Sequence, residues 1–292
     1  MTKALVLSGG GSVGIAWQIG LATGLARRGV DLTDAAFILG TSAGSAVGAQ
    51  LALGRDLEEQ VERYEKSEPH SDTPANAGAD GPMAERMARF MALMIETVDL
   101  EPEERRAHIG RFALEADALE EDRFIDMFGY LSKEPWPARY SCTAVDAESG
   151  EFKVWDATSG VELDRAVASS CAVPGLFAPI TIGGRRYMDG GMRSGTSADL
   201  AVGHDVVLVV SLMTASRMPA GDPRIARLLQ TMEAESKVLT DAGAQVEVVA
   251  PDEGTAKVIG MNLMDASVAP AAALEGVRQG EEIAATVGAY WH

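Results

Sequence analysis

Ala4-Leu-Val-Leu7 is a continuous apolar run set between a polar start and three consecutive glycines, Gly9 to Gly11. A short apolar run bounded by turn residues predicts a strand buried on both faces. Ile15 to Arg28 comes next, with an apolar stripe of Ile15, Ile19, Leu21, Ala22 and Leu25, and predicts a helix. Arg27-Arg28 followed by Gly29 is its stop signal. Ala35 to Leu39 predicts a second buried strand, and Ala43 to Leu53 a second helix closed by Gly54. Two strand-helix units in immediate succession predict an α/β fold with a parallel sheet and crossover helices.

The pattern changes over residues 55–134. Apolar positions recur at helical spacing, as in Met83, Met87, Phe90, Met91 and Met94 behind Pro82, a residue suited to a first helical turn. Residues 66–81 are loop-like by composition. The segment carries 21 acidic and 10 basic residues. It is expected to be a helical insertion or cap within one domain spanning 1–292. The methionine-rich stripe predicts a face turned to the core, with a lid or acyl-chain wall as the alternative, since flexible thioethers suit variable apolar ligands.

Strand patterns return at Ala138 to Val145 and Glu151 to Trp155, flanking a hairpin candidate at Asp146–Gly150. Val161 to Ser170 predicts a helix, and Ile180 to Met188 two strand pieces about the Gly183-Gly184 turn. Asp205 to Ser211 and Gln245 to Ala250 predict strands, Arg224 to Ala242 and Ala271 to Ala285 helices.

Charge narrows the function. The 292 residues hold 25 Lys plus Arg against 43 Asp plus Glu, a formal net charge of −18. That argues against a nucleic-acid partner, whose affinity rests on phosphate neutralisation. It also argues against electrostatic docking on anionic lipid. Cys142 and Cys171 lack metal-ligand spacing and read as thiols of a reducing compartment. The first apolar run is shorter than the about 7 residues a signal-peptide core needs, and no run approaches the roughly 18 of a membrane span. The expected address is cytoplasmic, with no metal and no cofactor.

Chemistry concentrates in three stretches. Gly9-Gly10-Gly11-Ser12-Val13-Gly14 follows a strand and opens a helix, so its backbone N–H groups can turn toward negative charge. It suits a phosphate cradle of the dinucleotide-binding kind or an oxyanion hole. Gly40-Thr41-Ser42-Ala43-Gly44 has the G-x-S-x-G form of a nucleophile elbow, in which a serine sits on a sharp strand-to-helix turn between small neighbours. Asp189-Gly190-Gly191 follows another strand and alone reads as a turn. The chain has four histidines, His70, His108, His204 and His292, and only His204 is placed to serve as a base for Ser42. An α/β-hydrolase places several strands before its elbow, and here one precedes the elbow strand. A dinucleotide-binding oxidoreductase needs an acidic residue at the end of the second strand, whereas Asp31 and Asp34 precede that strand.

Together the three stretches, with Ala168-Ser-Ser-Cys-Ala-Val-Pro-Gly-Leu-Phe-Ala-Pro179 between them, resemble the patatin-like phospholipases. The resemblance spans residues 9–191. It implies a three-layer α/β fold with a central, mostly parallel sheet and a serine hydrolase acting on acyl esters of lipids, needing neither metal nor histidine. It assigns the nucleophile to Ser42, the base to Asp189, and the oxyanion-hole motif to Gly9, Gly10, Gly11, Ser12 and Gly14. Gly40, Thr41, Ala43 and Gly44 complete the elbow, and Gly190 and Gly191 the Asp-Gly-Gly motif. Many members carry Lys or Arg where this chain has Val13. Met192 to Asp199 replaces an Asn/Pro-containing segment, and residues 55–134 match no part of the pattern. The alternative from another class is a non-catalytic lipid-binding or regulatory module on the same fold.

Overall fold

The structure, a computed structural model, describes residues 1–66, 81–212, 214, 221–222 and 224–291. Residues 67–80 of the expected loop, His70, His292 and the Met83 side chain lie outside the described residues.

Strand β1 (Lys3–Leu7) leads through helix α1 (Gly11–Arg27) to β2 (Phe37–Gly40) and α2 (Ala43–Ala52). The acidic segment supplies α3 (Glu58–Lys66), α4 (Pro82–Glu96), α5 (Pro102–Glu115) and α6 (Glu121–Asp126). Then come β3 (Tyr140–Asp146), β4 (Phe152–Trp155), α7 (Leu163–Cys171), β5 (Ile180–Ile182) and β6 (Arg185–Asp189). The chain continues through β7 (Val206–Val210), α8 (Arg224–Asp241), β8 (Gln245–Val249), α9 (Glu253–Ile259) and α10 (Ala269–Trp291).

The strands form one sheet in the order β5-β6-β3-β2-β1-β7-β8, with β4 also paired to β3. β3, β2, β1, β7 and β8 run parallel, while β4 and β6 pair antiparallel with β3 and β5 pairs antiparallel with β6. Alternation along β1 shows why its run is apolar throughout. Leu5 and Leu7 join a core with Trp17, Leu25, Val47 and Trp291, from α1, α2 and α10. Ala4 and Val6 join a second core with Leu239 of α8. The fold is therefore a three-layer α/β arrangement, helices on both faces of a mostly parallel sheet, as the sequence predicts.

Residues 55–134 pack in two directions. Val61, Phe124, Phe128 and Leu131 enter the main core. Phe90 and Leu93 of α4 and Ile109 of α5 build a third cluster with Val145, Met188 and Met192, with Met87 and Met94 packed against it. Most of the methionine-rich stripe is thus turned inward, while Met91 is exposed. Boundaries depart most from the sequence reading at two helix ends: α1 begins at Gly11, ahead of the apolar stripe, with a first turn built from glycine and serine, and α10 runs on to Trp291, past the expected Ala285.

Candidate active site

Because β1 and β2 are parallel, their carboxyl ends deliver the glycine-rich turn and Ser42 to the same end of the sheet. Ser42 has φ 52° and ψ −123°, in the left-handed half of backbone space, directly before α2. A non-glycine residue there is strained and must be held by its surroundings. Its N–H donates to Ser170 Oγ at 2.9 Å. Its carbonyl accepts from Ser45 N–H at 2.8 Å, from Ser45 Oγ at 2.6 Å and from Cys171 Sγ at 3.1 Å. The small neighbours are a steric requirement. A Cβ on Gly44 would overlap the Leu7 carbonyl, and one on Gly40 would overlap the Gly44 carbonyl and Ser45 Cα.

The glycine-rich turn lies against the elbow: a Cβ on Gly9 would sit 3.3 Å from Ser42 Cβ. Gly9 N–H is occupied by the Gly195 carbonyl at 3.0 Å. Among the described residues no acceptor takes the Gly10 or Gly11 N–H. These two donors stand at the N-terminus of α1, where the helix dipole adds positive potential. Gly11 has φ +59°, and a Cβ there would collide with Leu263 and with Met264 Sδ, 2.6 Å away. The turn before α10 therefore roofs the motif, with the Leu263 carbonyl accepting from Val13 N–H at 3.1 Å.

Asp189 ends β6 and is 3% exposed; Ser42 is 8% exposed. After burial, the Ser42 side chain is the neighbour that weighs most on the Asp189 carboxylate, lowering its pKa. Gly191 N–H donates to Asp189 Oδ1 at 2.7 Å. Burial pushes the Asp189 pKa up from 3.8 to about 6, against the opposing effects of the Ser42 side chain and the Gly191 N–H. The approach of the motifs has a visible cause. Thr41 Oγ1 and Thr143 Oγ1 of β3 are hydrogen-bonded at 2.8 Å. A Cβ on Gly190 would overlap that same Thr143, so glycine lets the Asp-Gly-Gly turn close onto the elbow.

The structure thus brings Ser42, Asp189, Gly9, Gly10 and Gly11 together. His204 lies just before β7, whose first residue pairs beside Lys3, at the opposite end of the sheet. Its ring stacks on Phe37 and its Nδ1 bonds the Ala201 carbonyl at 2.9 Å. His108 is exposed beside Arg111. Asp31 and Asp34 flank the turn ahead of β2, where the Asp31 side chain accepts from Thr33 N–H. Cys142 and Cys171 are free and buried, and burial beside Asp189 pushes the Cys171 thiol well up. Among the described residues no group of three His, Cys, Asp or Glu side chains is arranged to hold a metal ion. Likewise, no helix among them is long and apolar enough to cross a membrane. Sequence reading gave no role to Ser170, Thr143, Leu263 or Met264. Only the Ala168–Pro179 stretch carried a local signal; the others act through contacts distant in sequence.

The family model described as patatin-like phospholipase matches residues 5–202, and the chain belongs to that family. Uncharacterized NTE family proteins of Mycobacterium bovis and Mycobacterium tuberculosis are each 30% identical over 246 residues, covering 82% of this chain. The chain spans 58% of the length of these curated relatives. Among solved structures, VipD from Legionella pneumophila aligns at TM-score 0.41 and 16% identity, covering 96% of this chain and 67% of that one.

Proposed function

We propose that the chain is a serine acyl hydrolase that cleaves carboxylic esters of lipids through a Ser42–Asp189 dyad and an acyl-enzyme. The observation that carries this reading is a strained serine at a helix N-terminus beside a buried, desolvated carboxylate whose pKa its side chain lowers. Desolvation matters because an ordinary aspartate is too weak a base for an alcohol. Ser42 Oγ attacks the ester carbonyl carbon while its proton passes to Asp189. The Gly10 and Gly11 N–H groups receive the oxyanion. The alkoxide leaves with the proton held by Asp189. Water then loses a proton to Asp189, attacks the acyl carbon and frees the fatty acid, restoring Ser42. Cytoplasmic action on a lipid or acyl-ester substrate, with residues 55–134 as cap of a single domain, completes the proposal.

The test is covalent. A fluorophosphonate should label wild type at Ser42 and leave Ser42→Ala unlabelled, and a panel of p-nitrophenyl, lysophospholipid, diacyl phospholipid and triacylglycerol esters should show which are turned over. A folded chain that neither labels nor hydrolyses would be the lipid-binding module instead.

Two results follow from the geometry. The acid limb of kcat/KM should bend near pH 6, because Asp189 acts as a base only above its raised pKa; a bend near pH 4 would mean the carboxylate is solvated in the working enzyme. Gly10→Ala places a Cβ 2.9 Å from Gly14 Cα and 3.0 Å from Leu212 Cδ2, displacing a donor. Turnover should fall about 10²–10³-fold, the usual loss for one oxyanion donor, with the melting temperature changed far less than the rate.

A further inference from the structure

We infer that α5 and α8 form a phosphate-binding site in which Arg105, Arg106 and Arg227 take the phosphate of an acyl lipid head group or of a free phosphate ester. Arg105 is 7% exposed, and its Nε is fully buried without a hydrogen-bond partner. The acceptor it does reach is a thioether, Met94 Sδ, at 3.4 Å from Nη2. Thioether sulfur is a weak acceptor, and a guanidinium presents five donors. Arg106 Nε donates to the Gly150 carbonyl at 2.6 Å, and Arg227 Nη1 to the Val98 carbonyl at 2.6 Å. Among the described residues the hydrogen-bond partners of all three are therefore uncharged, in a chain with 43 Asp plus Glu residues.

The neighbouring arginines are different. Arg193 is held by Asp199 at 2.6 Å, and Arg224 by Asp222. Desolvation by burial, with the like charges of Arg227, Arg106 and Arg224 adding to it, pushes the Arg105 pKa down to about 10. Burial likewise lowers the Arg106 pKa, with Glu103 opposing it and Arg193 and Arg227 adding to it. A buried guanidinium whose hydrogen-bond partner is a thioether lacks the counter-charge that ordinarily compensates its desolvation. A phosphate oxyanion supplies that charge and matches the planar fork of arginine donors.

The position suits the substrate of the reaction proposed above. Arg106 is tied to Gly150 in the turn between β3 and β4. β3 runs parallel to β2, so this turn lies at the end of the sheet that carries Ser42. Ile109, one helical turn beyond Arg105, packs in the cluster containing Met188 and Met192, which bracket Asp189-Gly-Gly. The head-group source rests on the hydrolase reading; the phosphate site itself does not.

Calorimetric titration of the full chain with inorganic phosphate, at constant ionic strength, tests the site. Wild type and Ser42→Ala should bind saturably. Arg105→Met and the more exposed Arg227→Gln should each weaken binding at least tenfold, while Arg123→Gln on α6 should not. Competition by glycerol 3-phosphate alone identifies a free phosphate ester, and competition by dihexanoyl phosphatidylcholine below its micellar concentration identifies a head group; either upholds the site. For a head group, Arg227→Gln should also raise KM for that phospholipid about tenfold and leave p-nitrophenyl butyrate hydrolysis unchanged. Absence of saturable phosphate binding, or binding untouched in Arg227→Gln, overturns the inference. Phosphate binding without labelling of Ser42 would remove the hydrolase reading and leave this site standing.

Discussion

Replacing Asp189 with Asn is expected to reduce ester turnover by about 10⁴-fold, the scale seen when one member of a nucleophile-activating set is lost, and to change how stability responds to pH. The near-isosteric amide can still accept from Gly191 N–H through its oxygen, so the Asp-Gly-Gly turn and the elbow should survive. It cannot take the Ser42 proton. Fluorophosphonate labelling should slow with turnover, while His204→Ala, a change at the far end of the sheet, should keep most activity.

The stability effect has a definite sign. The Asp189 pKa is raised in the folded state, from 3.8 to about 6. The folded chain therefore holds this proton more tightly than the unfolded chain does. The resulting stabilisation is fully present below pH 3.8 and is lost as pH rises through about 6. Above that window the wild type carries a desolvated carboxylate that Asn lacks. A shift of about two pKa units corresponds to roughly 3 kcal/mol. The stability difference between Asp189→Asn and wild type should move toward the variant by about that amount between pH 4 and pH 8, measured by urea unfolding at each pH. A difference that does not change with pH, or moves the other way, would show that burial does not tune this carboxylate. An active site that is more stable without its base is what a strained, desolvated catalytic group implies.

The legible parts of this fold are those whose signal is local. Ala4–Leu7 and Val206–Val210 are apolar at every position because both faces of the central strands are covered. Gly40 and Gly44 are legible because a steric demand within the elbow leaves a pattern in neighbouring residues. Ser42 was singled out by such a pattern, whereas Asp189, 147 residues further on, was singled out only through the family resemblance, because its Asp-Gly-Gly alone reads as a turn. Helix α9 was missed: Glu253–Ile259 is short and has only Thr255 and Ile259 buried. Ser170 and Leu263 hold the Ser42 N–H and the Val13 N–H from distant parts of the chain. Arg105 carries no local mark at all; it looks like any charged residue of an acidic helix until burial is known.

Gly24→Val is expected to destabilise the chain by about 3 kcal/mol, at the upper end of the usual overpacking range, and to lower activity along with stability. α1 and α10 touch backbone to backbone through two glycine pairs spaced four apart, which places each pair on one face of its helix. A Cβ on Gly24 would overlap the Val277 carbonyl and sit 3.0 Å from Glu281 N; one on Gly280 would lie 2.9 Å from Leu25 N. Gly20 and Gly276 repeat the arrangement one turn away, a Cβ on Gly276 meeting Leu21 N at 2.8 Å. The obstacles are main chain, so no rotamer change relieves them, and the helices must separate. Separation loosens the buried Trp17 Nε1 to Gln279 Oε1 bond, 3.3 Å long. It also moves the α1 N-terminus, where the glycine-rich turn begins, relative to the Leu263 roof just before α10. Chemical unfolding of Gly24→Val and of Gly129→Ala, where a Cβ meets nothing within 4 Å, separates a packing effect from a general cost of adding a side chain. The packing account requires a large loss for the first and a change within about 0.5 kcal/mol for the second. It also requires slower fluorophosphonate labelling in Gly24→Val under conditions where the variant is still fully folded; unaltered labelling there would show that the glycine-rich motif is positioned independently of α10.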